Sequence, residues 1–200
     1  MRAFIVAALI AAGSLAAGTV AAQAVEVANV KYEQTLDLAG QKLQLNGAGI
    51  RYKFVVKVYT AGLYLTTRAG TTAEALAAPG PKRIHIQMLR DIDGNELGKL
   101  FTKGMEANAP RDEFSKSING VLKLSEVFAS RSKLNSGDSF SVDYVPGVGS
   151  TLLLNGKSVM PEPIKEPEFF SALLRIWLGE KPADDGLKEA LLGIKRGSRR

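Results

Sequence analysis

The sequence predicts an α+β domain, and the order of its elements is the reason. After an apolar leader come strand-like stretches, then two adjacent amphipathic helices, then further strands and terminal helices. Elements segregated in this way make an α+β fold. No repeat or linker divides the 200 residues, a length that suits one domain. A hydrophobic share of 46% and a charged share of 23% are those of ordinary globular chains.

Residues 3–22 carry no charge, follow the single cation Arg2, and are rich in Ala, Ile, Leu and Val. Ala22-Gln23-Ala24 then supplies the small-x-small pattern that a signal peptidase reads. About 20 apolar residues could also anchor a chain in a bilayer. The Ala- and Gly-rich composition and the well-placed cleavage pattern favour a signal. The expected organisation is a signal peptide over 1–24, a folded domain over 25–194 and a basic tail over 195–200, with the mature chain exported to a bacterial periplasm.

Residues 25–45 alternate loosely, as in Leu36-Asp37-Leu38, and predict two short strands around a turn at Ala39-Gly40-Gln41. Asn46-Gly47-Ala48-Gly49 reads as a turn. Residues 51–65 read as one unusually long strand, rich in aromatic and β-branched residues. Its alternation puts Tyr52, Phe54, Val56 and Val58 on one face and Arg51, Lys53, Val55, Lys57 and Tyr59 on the other. Gly62 marks a bulge or a close backbone approach. Thr71 or Thr72 caps a short helix over 73–78. Residues 82–90 predict a strand with Ile84, Ile86 and Met88 on one face and Arg83, His85 and Gln87 on the other.

Asp93 caps the first central helix, with Glu96 as its capping partner and Leu97, Leu100, Phe101 and Met105 as its apolar stripe. The second spans 111–130, with a stripe running from Phe114 through Ile118, Val121 and Leu122 to Phe128. Phe140, Val142 and Tyr144 predict a strand with one solvated face. Asn155-Gly156 is a hairpin turn. Helices over 166–178 and 187–192 close at Gly179 and Gly193.

Composition removes much chemistry. The chain has no cysteine and one histidine, His85, so thiolate and multi-histidine metal sites are excluded. His85 reads as a partly buried structural residue, and Asp91 and Asp93 as capping groups at a strand-to-helix corner. Asn155-Gly156-Lys157-Ser158 lacks the first glycine of a phosphate loop and sits between strands. Gly47-Ala48-Gly49 lacks the third glycine of a dinucleotide fingerprint. No cofactor and no metal is expected. Lys and Arg number 26 against 20 acids, but no basic stripe interleaves with aromatics, so no nucleic-acid partner is expected. Lys195, Arg196, Arg199 and Arg200 crowd the tail, which would assist peripheral contact with an anionic membrane. The face with Arg51, Lys53, Lys57 and Tyr59 is either solvated or one wall of a groove. In the second case Arg51 would hold an anionic group through its planar fork.

At this segment the sequence resembles the chalcone isomerase superfamily, in particular its exported bacterial branch. The resemblance rests on Leu45-Asn46-Gly47-Ala48-Gly49-Ile50-Arg51, on Lys57-Val58-Tyr59-Thr60-Ala61-Gly62-Leu63-Tyr64-Leu65, and on Ile176-Trp177-Leu178-Gly179 with Leu191-Leu192-Gly193. It implies a long curved antiparallel sheet covered on one face by a helical layer, with a ligand cleft between them. Arg51 resembles the arginine that plant chalcone isomerases use during ring closure. Their strand threonine falls at Tyr59, their helix tyrosine near Leu97 and their helix asparagine near Gly104. Tyr59 keeps a hydroxyl, but loss of the polar groups at the two helix positions makes efficient cyclisation unfavourable. A fatty-acid-binding branch keeps an arginine and a tyrosine for the carboxylate.

Three functions follow from this reading. The leading one is a periplasmic protein that binds a small amphipathic ligand, such as a fatty acid, through Arg51, Tyr59, Leu97 and Phe101. An intramolecular lyase or isomerase would use Arg51 and Tyr59 as its catalytic groups. A structural or partner-binding protein would have a filled cleft. The export reading is checked by intact-mass analysis of the purified protein, which is expected to begin at Val25. An intact N-terminus on membrane-bound protein would contradict it.

Overall fold

A computed structural model describes residues 24–194. The expected signal peptide (Ala24 apart) and the basic tail lie outside the described residues. The chain opens with a small hairpin, β1 (Val25–Val27) and β2 (Val30–Tyr32), followed by β3 (Thr35–Leu38), β4 (Gln41–Lys53) and β5 (Val56–Leu65). Helix α1 (Thr72–Ala77) leads to β6 (Lys82–Met88) and β7 (Ile92–Asp93). The paired helices α2 (Gly94–Asn108) and α3 (Arg111–Ala129) come next, then β8 (Lys133–Leu134), β9 (Ser139–Val145), β10 (Gly149–Leu154) and β11 (Lys157–Ser158). Helices α4 (Pro167–Leu178) and α5 (Asp185–Leu191) end it.

Seven strands form one antiparallel sheet in the order β11-β10-β9-β6-β5-β4-β3. Its helix-side face supplies Ala61, Leu63, Ile84, Ile86 and Phe140 to the main core, where α2, α3 and α4 contribute Phe101, Phe128 and Trp177. The rings of Phe101, Phe128, Phe140 and Trp177 meet edge-on or tilted at centroid distances of 5.3–5.6 Å, the favoured geometry of aromatic clusters. On the opposite face β1 and β2 cover Leu43, Leu45 and Tyr64 with Val30 and Tyr32. Gly62 is a close approach: a Cβ there would lie 2.5 Å from the Tyr32 ring.

Several elements differ from the sequence reading. Residues 46–49 are strand interior, not a turn. Gly47 and Gly49 are there because α5 lies flush on β4, where a Cβ would stand 1.9 Å from the Ala190 carbonyl and 2.6 Å from the Ala190 Cβ respectively. Residues 51–65 are two strands joined at Phe54-Val55. A single strand of that length would extend ~50 Å and leave its ladder groups without partners, whereas folding back pairs both arms. Residues 25–45 hold a further hairpin, turning at Ala28-Asn29, where both residues have positive φ.

The α3 stripe is also rotated. Ile118 and Leu122 are exposed, while Ser117 and Gly120 are buried. Gly120 admits the Phe169 ring, which a Cβ would meet at 2.4 Å, so the small-residue side faces the core. The second face of β9 is not solvated: Ser141 and Asp143 are buried, because the register sets them against His85 and Arg83 on β6.

The flush contact makes a stability prediction. Gly47→Ala forces a methyl onto helix backbone and is expected to lower unfolding free energy by about 3 kcal/mol. Gly70→Ala, which meets nothing nearer than 3.8 Å, should change it by less than about 0.5 kcal/mol. Urea unfolding midpoints check the contrast; equal midpoints would refute it.

Candidate functional site

The site is built where β4 and β5 separate from the helices. Arg51 and Tyr59 are direct cross-strand partners. They share a face because two strands place them opposite each other, not because one strand carries both. Between Arg51 and Tyr52 the register shifts, which leaves Val58 as an extra residue on β5. Bulges of this kind re-aim side chains, and here the consecutive residues Val58 and Tyr59 both reach the same cavity. That cavity, about 170 Å³, lies between this bulge, the α2 side chains Leu97 and Phe101, and Ile176 of α4. A second cavity of about 190 Å³ shares Arg51, Val58, Ile92 and Leu100 with it and opens among Lys53, Arg90, Asp93 and Glu96. The inner chamber is therefore mainly apolar, the outer one charged, and Arg51 stands at their junction. Together they reach the lower end of the ~300–1,000 Å³ range of small-molecule sites.

Two donors converge on this junction. The Arg51 guanidinium lies over the Tyr59 ring, 5.6 Å from its centroid, a cation–π geometry. Among the described residues no carboxylate forms a salt bridge with Arg51. The Trp177 indole Nε1–H donates to the Tyr59 hydroxyl oxygen at 2.8 Å, which leaves the Tyr59 proton available as a donor. Burial pushes the Tyr59 hydroxyl up to about 12, against the lowering influence of Arg51 and of the Trp177 bond. The phenol is thus neutral and protonated at physiological pH, beside a permanent cation.

All four residues expected from the sequence to bind ligand (Arg51, Tyr59, Leu97 and Phe101) line the inner chamber, and Gly104 joins them. The sequence reading missed Trp177 as the partner of Tyr59, Ile92 and Arg90 from the β6–α2 connection, and Asn108. Asn108 lines the cavity with its amide already engaged: Nδ2 donates to the Gly104 and Lys181 carbonyls, and Oδ1 accepts from the Lys181 N–H. It pins the 181–183 segment over the chamber. A polar residue one turn beyond Gly104 on a helix facing the cleft was the available signal. His85 lies on the other side of the sheet, bonded through Nδ1 to Ser141 at 2.9 Å and packed edge-on against Tyr32, outside the cleft.

The family profile described as chalcone isomerase-like matches residues 24–193. This chain belongs to the chalcone isomerase-like family. Among solved structures it is similar to the fatty-acid binding protein of Arabidopsis thaliana, with a TM-score of 0.65 and 14% identity, covering 85% of this chain and 96% of that one. None of the curated proteins matches it significantly in sequence. In this chalcone isomerase-like chain Leu97 and Gly104 border the cavity without a polar side chain.

Tyr59→Phe separates the phenol's two roles. At pH 7 it leaves the buried Trp177 N–H without an acceptor and is expected to cost about 1–3 kcal/mol. The folded-state pKa of Tyr59 is raised above its ordinary value of 10.0. Its contribution is therefore complete below pH 10 and is lost as pH rises through about 12. The gap between wild type and variant should narrow over that window. Denaturation followed by Trp177 fluorescence at pH 7 and at alkaline pH checks this; a constant gap would exclude it.

Proposed function

We propose that this protein binds a small amphipathic acid of the fatty-acid type in the cleft, without transforming it, and does so in the periplasm. The observation that carries the reading is Arg51, a cation with no salt-bridge partner among the described residues, poised between an apolar and a charged chamber. A carboxylate there gains bidentate charge-assisted hydrogen bonds from the guanidinium and a further donor in the Tyr59 hydroxyl. An apolar chain gains burial against Leu97, Phe101 and Ile176. The solved structure reported above, named a fatty-acid binding protein, supports the same ligand class. Leu97 and Gly104 offer no side-chain donor for an oxyanion, which speaks against cyclisation, and the open chambers speak against a cleft filled for a structural role.

Arg51→Ala is expected to weaken binding of fatty acids to delipidated protein by roughly 10- to 150-fold, the equivalent of about 1.5–3 kcal/mol for a charge-assisted pair. Arg51→Lys should recover only part of this, because an ammonium lacks the fork. Titration with acids of increasing chain length, alongside thermal melts, measures both. Unchanged affinity with a large fall in Tm would make Arg51 a structural residue and overturn the proposal.

A further inference from the structure

The tip of the β4–β5 hairpin carries an arrangement that the cleft does not use. Phe54 and Val55 are 94% and 89% exposed, and the flanking Tyr52 and Val56 are 40% and 41% exposed. Lysines alternate with them: Lys53 pairs across the hairpin with Val56, and Lys57 with Tyr52. Neither lysine has a salt bridge among the described residues, and residues 52–57 contain no acid. Phe54 adopts φ +58°, a conformation that bulky residues rarely take. At the first position of a two-residue hairpin loop with positive φ, glycine is the favoured residue. Folding alone gives no reason to keep an aromatic ring there in water and under backbone strain; contact with an apolar surface does. The base beneath is held fast, since the Tyr52 N–H donates to Asp184 Oδ2 at 2.9 Å. Asp184 and Asp185 lie at that base, at the start of α5, rather than in the loop.

We infer that this tip docks reversibly on the surface of a bilayer containing anionic lipid. Phe54 and Val55 enter the boundary between headgroups and acyl chains, and Lys53 and Lys57 meet the lipid phosphates. A short apolar wedge interleaved with cations matches both layers of that interface, and an aromatic such as Tyr52 suits the headgroup level. The chamber lined by Arg51, Lys53 and Arg90 together with Asp91, Asp93 and Glu96 lies beside the docked hairpin. The inference is independent of what the cleft binds, because docking is measured with no fatty acid present.

The test is flotation of the purified protein with vesicles of phosphatidylcholine, either alone or with about 30% phosphatidylglycerol to give an anionic surface that attracts basic segments. Wild type is expected to float with the anionic vesicles and to be released by high salt. Phe54→Gly combined with Val55→Ser should weaken this by about tenfold or more while leaving Tm equal or higher, because glycine relieves the positive φ. The termini are identical in both proteins, so any contribution from them cancels. Lys53→Gln with Lys57→Gln should weaken anionic binding by about an order of magnitude. Trp177 is the single tryptophan and is fully buried, so Phe54→Trp provides a separate reporter, whose emission should shift to the blue on vesicles. Absence of flotation, equal flotation of the glycine-serine variant, or an unshifted Phe54→Trp emission on bound protein would overturn the inference. So would a dimer in ultracentrifugation that the glycine-serine variant dissolves, since a second copy would then cover the tip.

Discussion

The backbone-to-backbone contact between β4 and α5 sets the position of everything at the open end of the molecule. Positions 47 and 49 admit no side chain, so strand and helix meet without a layer between them. Asn46, bulged out of register beside them, closes the joint. Its Nδ2 donates to the carbonyls of Ala69 and Leu191 at 2.9 and 2.7 Å, and its Oδ1 accepts from the Ala69 N–H at 2.7 Å. Its buried amide is thereby satisfied. One residue ties the central sheet, the loop after β5 and the last helix together. Arg51 comes two residues after Gly49 and leaves the strand on the same side. The start of α5, fixed by the same joint, reaches forward to hold Tyr52 through Asp184. Both the cleft edge and the hairpin above it inherit their placement from this contact.

The two faces of the sheet divide the labour between apolar and polar packing. The helix side is an aromatic and aliphatic core. The other side carries a partly buried polar layer of cross-strand and hairpin pairs: Arg83 with Asp143, His85 with Ser141, and Tyr32 with Thr60. Burial, reinforced by the charge on Arg83, pushes the His85 pKa down, so the single histidine is neutral near pH 7 and serves the sheet. Partly satisfied layers of this kind would be costly, and the β1–β2 hairpin completes this one by supplying the Tyr32 hydroxyl.

The helices, their caps and the β6 alternation were legible because their signals are local. Thr71 with Glu74 forms the capping box of α1, which settles the choice between Thr71 and Thr72, and Asp93 caps α2 by accepting from the Glu96 N–H without a return bond from the Glu96 side chain. The turn at Asn155-Gly156, with φ of 47° and 76°, is another such case. What could not be read was decided by distant partners. Gly47 and Gly49 signal a turn unless α5 is known to lie across them. Phe54-Val55 signals strand, since nothing in its chemistry marks a hairpin. At the site, Arg51, Tyr59 and Leu97 were accessible through family resemblance and Phe101 through the apolar stripe of its helix, whereas nothing marked Trp177 as the partner of Tyr59. Its bond to Tyr59 spans 118 residues of chain, and no periodicity reports it.

The electrostatics of the cleft suit the anionic ligand proposed above. The groups that converge at the junction of the chambers are donors: a guanidinium that stays charged at any working pH and a phenol that burial keeps protonated. Turnover needs, in addition, a group able to take up or deliver a proton in the working range. The inner chamber is lined by no carboxylate and no histidine; its ionisable residues are Arg51, Tyr59 and Lys181. In the outer chamber Asp91 is engaged by Lys133 and the Ser136 N–H, and Asp93 caps α2. Those two carboxylates are therefore already bonded within the protein, and Glu96 lines the same chamber. The two donors can neutralise and orient an acid, and the apolar chamber behind them can shield its chain from water. The same two residues would polarise a carbonyl if a neighbouring group moved the proton, and Leu97 and Gly104, which border the inner chamber, offer no side chain that could.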